Sequence, residues 1–214
     1  MTVPPFFYLK FITHRDMESN GNGRGGLFSP QQGRARCAAA MKRHFRCGMA
    51  KMTDVTRVFI HGRDSSSRGT KGSFFREKYP EMLMDDYTGA LEERMAKLER
   101  GLSGKKDLIL VGSSLGGLMA TLFACNHAPS VRRLILLAPA LRLAHLCAYD
   151  STPLELPVTL YHGKDDVVVP PEPTRQVAAK LFLNLDYHLV EDDHNLHRVF
   201  PTLDWDGLLE IANK

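Results

Sequence analysis

Gly112-Ser113-Ser114-Leu115-Gly116 is a G-x-S-x-G pentapeptide between an apolar run and an amphipathic one. A serine on a tight strand-to-helix turn is lifted above a sheet, at the positive end of the following helix, where its hydroxyl can attack a carbonyl carbon. Glycines two places before and two places after relieve the crowding of such a turn. This register selects Ser114, because Val111 stands two places before Ser113. A serine hydroxyl is a poor nucleophile without a base, and the base needs an acid to orient it. Two later turns offer both. Asp166, in H-G-K-D-D-V-V-V-P, follows the apolar run Val158 to His162, and His194, in V-E-D-D-H-N-L-H, follows Asp186 to Val190. Each separation is about the length of one β-α-β step. Asp165 and His197 are the adjacent alternatives; their ordinary roles are a solvated turn residue and a surface histidine. His194 and His197 lack the glutamate or third ligand of a metal pair. An oxyanion formed at the attacked carbonyl needs backbone N–H donors. Leu115, directly after the nucleophile, is one candidate. Arg63, in the loop His61-Gly62-Arg63-Asp64-Ser65-Ser66-Ser67, is the other, with His61 and Gly62 shaping the turn.

The elements that must position these groups alternate in type. Val55 to His61 reads as a short strand, and Asp107 to Gly112 and Arg133 to Ala138 as strands buried on both faces. Val158 to His162 and Asp186 to Val190 are further strands. Thr88 to Leu102 carries Leu91, Met95, Leu98 and Leu102 on one helical stripe, with Glu93 and Lys97 one turn apart. Ser114 to Asn126 places Leu115, Leu118, Met119, Leu122 and Phe123 on one face. Arg175 to Leu183 reads helical, and Trp205, Leu208, Leu209 and Ala212 mark a closing helix. Strands alternating with helices at this spacing predict an α/β domain around a mostly parallel sheet of about five or six strands.

The chain has 214 residues, 43% of them hydrophobic and 24% charged. That is enough apolar content for one core and one domain. The longest apolar run, Leu134 to Leu141, is far short of a membrane span. Four cysteines make no disulfide framework, so reduced thiols in a cytoplasmic protein are expected. The net charge of +4 is unevenly placed: residues 1–52 hold nine basic side chains against two acidic ones. The remainder is mildly acidic and offers no electrostatic case for nucleic acid. Binding through the basic segment would be steeply salt-dependent and lost on its removal. Asn20 to Arg36 is Gly-rich and polar without a period, so residues 1–52 are expected to form a disordered basic extension ahead of a domain at 53–214. Phe6, Phe7, Phe11 and Ile12 could alternatively dock on a sheet edge, and the arginines would suit a targeting segment. Cys37, His44 and Cys47 fit no strong metal pattern and lack a fourth ligand.

Taken together, the H-G-x-D-S-S loop, the G-S-S-x-G-G elbow, the H-G-x-x-D-x-x-V-P turn and the D-H turn resemble those of the α/β-hydrolase superfamily, in particular its compact bacterial esterase-like members. The resemblance spans about residues 55 to 211. It implies cofactor-free and metal-free hydrolysis of a small-molecule ester or thioester, with Ser114 as nucleophile, His194 as base and Asp166 as its orienting acid. About twenty residues separate Ala138 from Val158, too few for the cap domain many relatives insert, so an open site is expected. Met82, Leu83, Met84, Leu141, Leu143, Leu146 and Tyr149 are candidates for an apolar acyl site, although core packing is their ordinary role. A non-catalytic binding module on the same fold is the alternative; it has no need of all three triad groups. The leaving group, acyl chain and oligomeric state are not legible.

Overall fold

In the computed structural model, residues 55–142 and 153–211 are described. Six parallel strands form one sheet: β1 (Thr56–Ile60), β2 (Leu83–Met84), β3 (Leu108–Ser113), β4 (Val131–Leu137), β5 (Leu154–Gly163) and β6 (Phe182–Val190). Their order across the sheet is β2-β1-β3-β4-β5-β6. Five helices connect or follow them: α1 (Thr70–Lys78), α2 (Leu91–Leu102), α3 (Leu115–His127), α4 (Pro171–Leu181) and the single turn α5 (Trp205–Leu208).

Strand residues alternate between two cores, as the two-residue period of a strand requires. On one face Val58, Leu108, Leu110, Leu134 and Leu136 meet Leu98 of α2, Leu118 of α3 and Ala178 of α4. On the other, Phe59, Ile109, Val111, Ile135 and Leu137 meet Phe75 of α1, Phe200 and Trp205. This second core is aromatic: Phe75 and Trp205 pack edge to face with centroids 4.7 Å apart. Crossovers to parallel strands are right-handed, so a change of direction across the sheet forces a change of face. The chain steps one way from β1 to β2 through α1, then back past β1 to β3 through α2. The reversal falls between β1 and β3, and the crevice outside the carboxyl ends of two such strands is where open α/β sheets bind ligands. Both Arg63 and Ser114 lie there.

The sheet agrees with the expected architecture, at six strands and fully parallel. Local differences have physical causes. Helix α1, T-K-G-S-F-F-R-E-K, shows no apolar period; it buries only Gly72 and Phe75 and is held by the aromatic core. Strand β2 is only two residues long. Helix α3 is buried from Leu115 through Ala124 rather than on one face, because it is enclosed by the sheet and α2. The closing helix is shorter than expected, with Asp204 capping it at Gly207 N–H. Ala212 and the whole of residues 1–52 lie outside the described residues, as do residues 143–152 of the segment between Ala138 and Val158. Among the described residues, no helix is long and apolar enough to cross a membrane.

Candidate active site

Ser114 lies between the last residue of β3 and the first residue of α3, with φ 54° and ψ −116°. A side chain in that region stores on the order of 1–3 kcal/mol of strain, which surrounding bonds must hold. They do: Ser114 N–H donates to Leu137 O at 2.9 Å, and Ser114 O accepts from Gly117, Leu118 and Ala140 N–H at 3.0, 3.3 and 3.0 Å. The flanking glycines are required by space. A Cβ on Gly112 would meet Gly116 O at 2.5 Å, and one on Gly116 would collide with the carbonyl of Ile60.

The Ser114 hydroxyl lies 3.0 Å from His194 Nε2, and His194 Nδ1 lies 2.7 Å from Asp166 Oδ2. A carboxylate can only accept, so Nδ1 carries the imidazole proton and Nε2 presents its lone pair to the hydroxyl. Asp166 is buried, and its two oxygens accept four hydrogen bonds. Val168 and Val169 N–H donate to Oδ1 at 2.9 and 2.8 Å. Oδ2 accepts from His194 and, at 3.1 Å, from His162 Nε2. The structure therefore brings Ser114, His194 and Asp166 together, while Asp165 and His197 are exposed. His197 stands on the rim of the cleft.

Three positioning residues surround these groups, and the sequence singled out only His61, as a residue that shapes its turn. Asp192 is buried, and its carboxylate receives Arg198 and Val199 N–H at 2.9 Å each, tying down the turn that carries His194. Burial pushes that carboxyl up, but the N–H groups of Val199, Asp193 and Arg198 and the Arg198 guanidinium outweigh it and hold it below the usual range. His61 is the second. Its Nε2 accepts Tyr87 N–H at 2.9 Å, so Nδ1 is the protonated nitrogen and donates to Gly62 O at 2.7 Å. In a trans peptide the carbonyl and the next N–H point opposite ways, so this bond also aims the N–H of Arg63. Gly62 backs directly onto the nucleophile: a Cβ there would lie 3.3 Å from Ser114 Cβ. Leu115, the first residue of α3, has no intrahelical acceptor for its own N–H. The signals were present as the paired acids before His194 and the H-G dipeptide, but neither says which backbone group it will meet.

His162 is the third. Its Nε2 donates to Val169 O at 2.8 Å as well as to Asp166, while Nδ1 is buried without a partner. Burial depresses its pKa below the ordinary 6.5, although Val169 and Asp166 oppose this. The folded protein thus resists a proton that the unfolded chain takes up near pH 6.5. This contribution to stability is complete above about pH 6.5 and is lost as pH falls below it. The melting temperature is expected to drop from pH 7 to pH 5, and His162→Gln should flatten that slope; an unchanged slope in the variant would exclude His162 as its source.

The cleft over Ser114 encloses about 670 Å³, with Gly62, Arg63, Ser65, Lys71 and His194 among its lining residues. Among the described residues, the candidates for an apolar acyl lining do not border this cleft, and core packing is the role of two of them. Met82 and Leu141 are instead core residues, 4% and 0% exposed. Leu83 and Met84 form the outer strand β2, and Leu143, Leu146 and Tyr149 lie outside the described residues.

No curated protein matches the sequence. The profile of the serine aminopeptidase (S33) family matches residues 61–152, the stretch holding Arg63, Ser114 and Leu115. Among solved structures, mouse alpha/beta hydrolase domain-containing protein 10 is similar with a TM-score of 0.58 at 21% identity, over 68% of this chain and 84% of that one. The chain has the α/β-hydrolase fold. Two further solved structures are similar at lower identity. Est1E from Butyrivibrio proteoclasticus, solved with ferulic acid, has a TM-score of 0.57 at 16% identity, over 73% and 87% of the two chains. Paleococcus ferrophilus monoacylglycerol lipase has a TM-score of 0.55 at 17% identity, over 72% and 93%. The family match ends before Asp166 and His194, so the placing of those two groups rests on the geometry of this chain.

Proposed function

We propose that this α/β-hydrolase-fold protein is a serine hydrolase that cleaves small carboxylic esters or thioesters through an acyl-enzyme. The observation that carries this reading is the continuous hydrogen-bonded line from Ser114 Oγ through His194 to the buried Asp166 carboxylate. In the first step Ser114 Oγ forms a bond to the carbonyl carbon and its proton passes to His194 Nε2. The negative charge on the former carbonyl oxygen is received by the N–H groups of Arg63 and Leu115. Asp166 keeps the imidazole in the tautomer that can accept that proton and then stabilises the imidazolium. When the carbon–oxygen or carbon–sulfur bond to the leaving group breaks, the same proton goes to the departing alkoxide or thiolate. Water then attacks the acyl-serine, giving its proton to His194, which returns one to Ser114 as the acid is released. No step needs a cofactor or metal. The monoacylglycerol lipase among the structural neighbours supports the same class of reaction.

Labelling with a fluorophosphonate tests this directly. The wild-type chain is expected to be modified at Ser114 and to turn over aryl esters or acyl thioesters of graded length. A chain that is neither labelled nor active toward that panel would instead be a binding module on this fold. Residues 1–52 hold none of the proposed site groups. A chain beginning at Met52 is therefore expected to keep ester turnover within about twofold and a similar melting temperature. A fall of many degrees, or aggregation, would make the segment structural, for instance as cover for a sheet edge.

A further inference from the structure

Among the described residues, Ser65, Ser66, Thr70 and Asn195 line the cleft over Ser114, together with Phe59 and Val168. The charged lining is unequal. Among the described residues it holds the cations Arg63 and Lys71 and one acid, Asp64. Lys71 also borders a smaller recess of about 90 Å³, lined by Phe74, Phe200 and Pro201, so it stands where the two spaces meet. Its ammonium donates to the carbonyl of Asn195, the residue after His194, and lies 5.5 Å from the centre of the Phe200 ring.

From this arrangement, and resting on the serine-hydrolase reading above, we infer that the substrate is an ester carrying a carboxylate, which Lys71 receives while Ser114 attacks the ester carbonyl. An ammonium has three donors, and the Asn195 carbonyl engages one. A carboxylate entering the cleft would take up the others in charge-assisted bonds, which are about twice as strong as neutral ones. Lys71 is half-buried, and burial lowers its pKa with Asp193 and Asp192 opposing it; a carboxylate arriving beside the ammonium adds a further countercharge. Arg63 adds a second positive charge to the same wall. Asp64 sits in the adjoining exposed loop, where solvent screens its repulsion.

Lys71 has a competing role as a strut, since its bond to Asn195 braces the turn that bears His194. Two matched ester pairs separate the roles: 4-acetoxybenzoate against its methyl ester, and monomethyl glutarate against methyl pentanoate. The first carries the anion on the leaving group and the second on the acyl group. Specificity constants are measured at fixed ionic strength and corrected for uncatalysed reactivity. The full-length wild type is expected to prefer the anionic member of at least one pair by about tenfold or more, as charge-assisted binding allows. Lys71→Met should collapse that ratio toward one, and Lys71→Arg should retain most of it. No preference in either pair, or an equal loss for both members in Lys71→Met, would overturn the proposal and leave Lys71 as a strut. Failure to turn over any of the four esters overturns it too. If Ser114 still reacts with a fluorophosphonate, only the carboxylate-bearing ester class is lost; if it does not, the serine-hydrolase reading falls as well.

Discussion

Ser114→Ala is expected to lower kcat for ester hydrolysis by about 10⁴-fold or more, with a circular dichroism spectrum matching the wild type. The hydroxyl supplies the bond-forming atom, and water in its place would lack both the 3.0 Å contact with His194 and the orientation that the elbow imposes. Ser113 belongs to β3 and lies outside the G-x-S-x-G register, so Ser113→Ala should lose far less. The same contrast applies to the other two groups. His194→Ala should approach the Ser114→Ala rate, whereas His197→Ala should not, because His197 stands exposed at the rim. Likewise Asp166→Asn should cost orders of magnitude, since it removes the acceptor that sets the imidazole tautomer, while Asp165→Asn should be close to silent. Losses appearing in the Ser113, His197 and Asp165 variants instead would show that the site uses the neighbouring set. Turnover of an aryl ester by the purified variants decides the question.

Gly116→Ala is expected to cost stability as well as activity. The added Cβ would collide with the backbone carbonyl of Ile60 and approach that of His61 at 2.6 Å. Neither can rotate away as a side chain would, so β1 and α3 must separate. Overpacking typically costs about 1–3 kcal/mol, and clashes with fixed backbone belong at the upper end or beyond. At about 3 kcal/mol a domain of this size loses roughly 6–12 °C in melting temperature. Activity should fall further than stability alone accounts for, because parting β1 from α3 moves the Arg63 loop away from Ser114. Gly101 in α2 is a suitable control. A Cβ there meets nothing within 4 Å, so Gly101→Ala should stabilise the protein by about 0.5–1 kcal/mol through helix propensity. Calorimetry on the two variants checks both signs. A Gly116→Ala chain that melts with the wild type would mean that β1 and α3 are not in such close approach.

Much of this protein was legible in its residues because the relevant physics is local. The apolar runs of β3 and β4 could only be strands buried on both faces, and the glycine spacing around Ser114 admitted one register. The alternation of strand and helix set the fold class, and the turns after β5 and β6 were the places to look for an acid and a base. What remained depended on groups distant in sequence. Helix α1 has no apolar stripe and exists because Phe75 meets Phe200 and Trp205, more than 120 positions later. Asp165 and Asp166 are the same residue type in one turn, and only the folded chain separates them, by burying one among four donors and leaving the other in water. The reach of His194 to Ser114 spans 80 positions. The charge around the cleft is of the same kind: Arg63 and Asn195 come from two loops and Lys71 from the first turn of α1, and they meet only when the sheet has formed. Spacing could nominate a nucleophile, but the donors and charges around it are set by which carboxyl ends the sheet order brings side by side.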